Sequence, residues 1–113
     1  MAAYILARVD VTDWDRYGEY VKHTPRVIAQ HGGRMIARGA DVVHLEGEED
    51  ARRVVIIEFP TLEQARTFYD SPEYAPVRAL RDGAGAASII AFEGYPEAAW
   101  LESLAASQAR SLP

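Results

Sequence analysis

Arg53-Val-Val-Ile-Ile-Glu-Phe59, closed by Pro60, is the most continuously apolar run of the chain. Val54 and Ile56 would project to one side of a strand, Val55 and Ile57 to the other. Apolar side chains on both faces predict a strand covered on both sides, hence an inner strand of a sheet. Pro60 has no amide hydrogen to donate and ends it.

Working outward, Glu46–Asp50 reads as an acidic turn before that run, and residues 34–45 as a second strand with Gly39-Ala-Asp41 as a bulge or break inside it. Tyr4–Val11 alternates: Ile5, Ala7, Val9 and Val11 point one way, Tyr4, Leu6, Arg8 and Asp10 the other. Between these strands, Thr12 or Asp13 supplies an N-cap for a helix over residues 14–30. Trp14, Tyr17, Val21 and Ile28 form its predicted buried stripe, with a kink or break near Thr24 imposed by Pro25. Gly32-Gly33 ends it.

After Pro60, Thr61 caps a second helix whose core face is Leu62, Ala65, Phe68 and Tyr69. A short helical piece follows over residues 74–80, then a fourth strand over 86–92, and a lone C-terminal helix over 97–109 carrying Trp100, Leu101 and Leu104. The order is βαββαβ plus a tail helix, a ferredoxin-like α+β pattern. Residues 1–95 form the domain and 96–113 the helical tail in this reading. Two helices cover one face of such a sheet. The other face is too apolar to stay bare in a monomer, and a second copy is the simplest cover. The expectation is a homodimer whose two sheets form a dimeric α/β barrel.

The 113 residues suit one domain, and 49% hydrophobic with 26% charged residues is ordinary globular composition. A net charge of -5 removes the general attraction for phosphates that nucleic-acid binding needs. With no cysteine there is no disulfide, thiolate or Cys-type metal chemistry. No signal peptide and no run near ~20 apolar residues is present, so the expectation is a cytoplasmic protein with no membrane partner.

His31-Gly-Gly-Arg34, Ala37-Arg38-Gly39, Leu45-Glu46-Gly47, Val54-Val-Ile-Ile-Glu58-Phe59-Pro60, Ala65, Tyr69, Ser71-Pro72-Glu73-Tyr74, Leu80-Arg81 and Glu93-Gly94, in that order, resemble a bacterial domain-of-unknown-function family numbered 1330. The resemblance covers roughly residues 3–95, and Ala40 stands where the family often has a second glycine. It implies a ferredoxin-like fold and a homodimer of the dimeric α/β-barrel superfamily. Relatives there include cofactor-independent monooxygenases of antibiotic biosynthesis, muconolactone isomerase-like enzymes and haem-binding members. The family itself brings no established reaction.

Charges interrupting apolar strands are the first candidates for chemistry: Arg8, Arg38 and Glu58. Strands one and three are neighbours in this fold, so Arg8 and Glu58 meet on one face if register permits. One reading is a polar pocket, with Glu58 as general base and Arg38 as its catalytic partner, Arg8 binding a substrate carboxylate or enolate. The other is a structural ion pair. Tyr74, Arg78 and Arg81 fall at i, i+4 and i+7, where a phenol and two guanidiniums can hold an anion or simply bridge to nearby acids. Tyr17 suits a pocket between the first helix and the sheet. His23, His31 and the pair His44/Glu46 match no metal-ligand spacing, and no phosphate loop or dinucleotide fingerprint is present. No metal and no cofactor are expected. Three functions stay open: a cofactor-independent enzyme, monooxygenase- or isomerase-like, acting on a small carbonyl-bearing or aromatic acid; a non-catalytic small-molecule-binding or stress-related module; and a structural dimerisation domain.

Overall fold

The computed structural model of the chain describes residues 2–39 and 41–110. Its elements run β1 (Ala3–Val11), α1 (Trp14–Gln30), β2 (Arg34–Gly39), β3 (Arg53–Phe59), α2 (Leu62–Tyr69), α3 (Tyr74–Ala79), β4 (Gly85–Glu93) and α4 (Glu97–Gln108). The strands form one antiparallel sheet in the order β2-β3-β1-β4. The two-sided apolar run is thus an inner strand, beside β1. The α+β, ferredoxin-like architecture read from the sequence is the observed one.

The register fixes which side chains face the helices. Ile5 lies opposite Ile57 and Ala7 opposite Val55, and all four are buried with Phe59. Against them pack Tyr17, Val27 and Ile28 of α1, Ala65 and Phe68 of α2, and Tyr74 and Val77 of α3. Each large apolar side chain removed from water contributes about 1.5–3 kcal/mol, so this layer carries the fold. The caps are those the sequence offers. Asp13 Oδ1 accepts from the Arg16 amide (3.1 Å), and Thr61 Oγ1 accepts from the Gln64 amide (3.1 Å). Ser71 joins α2 to α3: its hydroxyl donates to the Phe68 carbonyl (2.7 Å) and accepts from the Tyr74 amide (3.1 Å).

Three local expectations are corrected. α1 is not broken near Thr24 but runs through Pro25 as one helix. Thr24, Val27 and Ile28 are buried around the proline, and this packing outweighs the ~3 kcal/mol local cost of an interior proline. β2 ends at Gly39 rather than Leu45, because β3 begins at Arg53 and leaves residues 41–45 no strand to pair with. A β-bulge lies at Ile36, between Met35 and Ala37; the bulge or break read at Gly39–Asp41 takes in Ala40, which is outside the described residues. Trp14 and Leu62, read as core, are exposed (59% and 37%), the first lying under the Arg53 guanidinium 5.5 Å from its ring centre.

Among the described residues, no helix covers the sheet's other face. That face presents Tyr4, Leu6, Val54, Ile56, Ile90 and Phe92, with Ile90 55% exposed. α4 leaves the end of β4 through Gly94-Tyr95-Pro96 and buries none of its residues.

Gly85 starts β4 with φ +154°, and a Cβ there would collide with the Asp10 carbonyl of the paired strand. Only glycine takes this backbone without strain. Gly85→Ala is therefore expected to lose on the order of 2–3 kcal/mol, read as a lowered denaturant midpoint with an unchanged slope.

Candidate functional site

Between the sheet and the three helices lies a pocket with apolar walls, among them Ile5, Met35, Val55, Ile57, Phe68 and Ile89. The centre of a water molecule can move through about 60 Å³ of it. At ~10–15 Å³ per water, that is room for a handful of waters or one ring-sized molecule in their place. The polar lining is narrow in kind: Thr24, the phenols Tyr17, Tyr20, Tyr69 and Tyr74, and the guanidiniums of Arg38, Arg53 and Arg81. Among the described residues, no aspartate, glutamate or histidine lines it.

The tyrosines come from helices whose apolar stripe turns them inward. The Tyr20 and Tyr74 hydroxyls share a hydrogen bond of 2.7 Å. Tyr74 is held by Phe68 (ring centres 4.5 Å apart) and Tyr69 (5.6 Å). Burial, reinforced by Tyr20, pushes the Tyr74 phenol well above its ordinary value, against the opposing pull of Arg81. Burial also raises Tyr17, while Arg53, Arg81 and Arg38 pull the other way. The three guanidiniums thus act on one phenol. Both phenols stay protonated at neutral pH, as hydrogen-bond donors rather than bases.

The arginines arrive by three routes. Arg53 opens β3 and shares the helix-facing side with Val55 and Ile57. Arg81 sits beyond the end of α3, half-buried, with its guanidinium 5.4 Å from the Tyr20 ring centre. Arg38 depends on the bulge. Arg34 and Glu58 are paired on the uncovered face, and strict alternation would put Arg38 there as well. The extra residue at Ile36 shifts the parity, so Arg38 pairs with Val55 and enters the pocket lining. The ion pairs among the described residues are Arg8–Asp50, Lys22–Glu19, Arg34–Glu58 and Arg52–Asp50. None involves Arg38, Arg53 or Arg81.

Of the residues singled out by sequence, Tyr17, Arg38, Tyr74 and Arg81 come together in the pocket. Arg8 and Glu58 do not. Both lie on the uncovered face, but Arg8 pairs with Val54 and Glu58 with Tyr4. Four residues at ~3.3 Å each separate them by about 13 Å along the strand. Glu58 bonds Arg34 (3.2 Å), and Arg8 bonds Asp50 (3.0 Å), which also binds Arg52 (2.7 Å). Hydrogen bonds from Arg52 first, and from Arg8, hold the Asp50 carboxyl well below the usual carboxylate range. Arg78 lies over the Tyr69 ring, 5.2 Å from its centre, and does not line the pocket. Arg53 and Tyr20 were not read as site residues. Counting in twos from Val55 along β3 would have found Arg53.

His44 lies in the loop after β2, its ring against the Asp50 backbone, and His23 lies 3.4 Å from Arg26 Nη1. Among the described residues no three His, Asp or Glu side chains gather as a metal site, and no helix is long and apolar enough to cross a membrane.

The raised Tyr74 phenol sets a pH dependence. Above the ordinary tyrosine value of 10.0 the unfolded chain gives up a proton that the folded chain keeps. Folded stability is then complete below pH 10 and falls as pH rises beyond it. Tyr74→Phe is expected to cost about 1 kcal/mol at pH 8, from the lost Tyr20 partner, and to flatten the decline above pH 10. Denaturant melts at pH 8, 10 and 11 measure both.

The family model described as Domain of unknown function (DUF1330) matches residues 2–95. No curated protein matches. Among solved structures, a protein of unknown function from Rhodopseudomonas palustris is similar at TM-score 0.68 and 18% identity, over 84% of this chain and 83% of that one. SnoaB, a cofactor-independent oxygenase from Streptomyces nogalater, aligns at TM-score 0.59 and 12% identity over 84% and 94%. A dimeric ferredoxin-like protein of unknown function from Thermobifida fusca aligns at TM-score 0.59 and 16% identity over 83% and 92%. At these identities the likeness is one of fold.

Proposed function

This chain belongs to the DUF1330 family, and we propose that it is a homodimer in which each subunit's pocket takes a small carbonyl-bearing or aromatic acid and acts on it without a cofactor, by oxygenation or isomerisation through its enolate or phenolate. One observation carries the reading: three guanidiniums with no carboxylate partner border a single apolar pocket that contains no acid. Charges in such a place call for a counter-ion, and the ligand supplies it. Apolar walls that include aromatic rings, and the small volume, favour one ring. A purely structural domain would have paired these charges internally.

The roles follow from the chemistry of the groups. Arg38, Arg53 and Arg81 hold the acid group and make the substrate's anion more stable. Tyr17 and Tyr74, kept protonated by burial, donate to the carbonyl oxygen as it takes up enolate charge, with Tyr20 hydrogen-bonded to Tyr74. The pocket has no carboxylate or imidazole base, so the substrate must be acidic enough to lose its proton to water in this positive field. In the oxygenation the anion reduces O2 and forms a C–O bond. A methylene becomes a carbonyl, and the second oxygen leaves as water. The likeness to SnoaB is an analogy of fold in support of this chemistry. The missing base favours a second reading, in which the same pocket binds the acid without turning it over. For the dimer, the uncovered apolar face and the dimeric relative from Thermobifida fusca lend support.

Calorimetric titration is the first test, with benzoate, salicylate and phenylpyruvate against uncharged benzyl alcohol. The acids are expected to bind and the alcohol not. Arg53→Gln and Arg81→Gln should each weaken binding about tenfold or more, as loss of a charged hydrogen bond worth ~1.5–3 kcal/mol implies. Equal binding of alcohol and acid would overturn the proposal. An oxygen electrode then separates the two readings: O2 uptake with a bound substrate marks the enzyme, and binding with neither O2 uptake nor isomerised product marks the carrier.

A further inference from the structure

α4 is a helix without a floor. It spans Glu97–Gln108, buries no residue, and leaves Trp100 and Leu101 more than half exposed. Trp100, Leu101 and Leu104 lie within about 100° of one another around the helix axis. Glu102 lies opposite them, and Ser103 and Ser107 flank Trp100. Its root is fixed: the Tyr95 hydroxyl donates to the Ala99 carbonyl (3.3 Å) and shares a hydrogen bond with Ser103 Oγ (2.7 Å). An isolated helix of 12 residues is marginal in water, so packing must hold it. The described molecule measures 55 × 32 × 16 Å with a radius of gyration of 17.2 Å, against roughly 13 Å for a compact chain of this length. α4 therefore stands out as an arm.

The arm's place names its occupant. It starts five residues after Phe92, whose ring lies on the uncovered face against Tyr4 (5.8 Å). Leu6, Ile56, Ile90 and Phe92 share that face, and the chain passes from Phe92 into the arm. Whatever covers that face meets the arm's root. We propose that α4 is an exchanged arm: it packs its Trp100–Leu101–Leu104 stripe on a second copy of the chain, which returns the same contact by two-fold symmetry. This rests on the homodimer proposed above. The family match ends at residue 95, so the arm adds to whatever interface the matched region makes.

Sedimentation equilibrium over a dilution series tests it, on the full chain, on full-length Trp100→Glu and on a chain ending at residue 95. Fluorescence of a Trp14→Phe variant, in which Trp100 is the single tryptophan, provides a second readout. The full chain should dimerise, Trp100→Glu and the truncation should each raise the dimer dissociation constant at least tenfold, and Trp100 emission should shift to the red on dilution. If both altered chains dimerise as tightly as the full chain, or if Trp100 emission does not depend on concentration, the arm is refuted and the dimer stands. If the full chain is a monomer throughout, the homodimer reading itself fails. Trp100→Glu changes a surface residue, so the test holds even where the truncation does not fold.

Discussion

The pairing of β1 with β3 is the constraint on which the rest depends. Seven successive pairs, from Ala3–Phe59 to Val9–Arg53, put odd-numbered residues of both strands toward the helices and even-numbered ones toward the uncovered face. A slip of one residue would exchange the two sets. Ile5, Ala7, Val55, Ile57 and Phe59 would lose their cover, and Arg8 and Glu58 would enter the core. That exchange is costly enough to make the register unique. It also settles the chemistry, since it assigns each strand charge to one side of a sheet that side chains cannot cross.

Much of this was legible in the sequence. Two-sided apolarity at Val54–Ile57 identifies an inner strand, period two sorts β1, and Thr61 and Asp13 mark the starts of their helices. Reading failed where a tertiary effect overrides a local one. Pro25 is a helix breaker by itself and a wall residue of the pocket in context. Trp14 has the spacing of a core residue, but it sits in the first turn, beyond the buried stripe. The site was half legible. Arg8 and Glu58 stand out because they interrupt apolar strands, yet each has an ion-pair partner, Asp50 or Arg34, that strand parity alone does not reveal.

The bulge at Ile36 is the least legible feature, and Arg38's place depends on it. No glycine or proline marks it; Gly39, the residue that attracts attention, ends the strand instead. One unpaired residue costs the sheet part of a hydrogen-bond ladder. In return the guanidinium moves from the uncovered face, where Arg34 already meets Glu58, to the rim of the pocket.

Placing three guanidiniums around an apolar space works against stability, and the aromatic side chains show how the fold tolerates it. Phe59, Phe68, Tyr74, Tyr20, Tyr17 and Trp14 form a continuous chain from the core to the mouth, with successive ring centres 5.2, 4.5, 6.4, 5.4 and 6.0 Å apart. Two of these rings meet guanidiniums face-on, Tyr20 under Arg81 and Trp14 under Arg53. Such contacts are worth about 0.5–2 kcal/mol each. That is enough to hold a guanidinium in place and too little to match a carboxylate. A carboxylate partner would have made these arginines structural. An aromatic one leaves Arg53 and Arg81 positioned and open to an incoming anion, which is the condition a binding pocket for small acids requires.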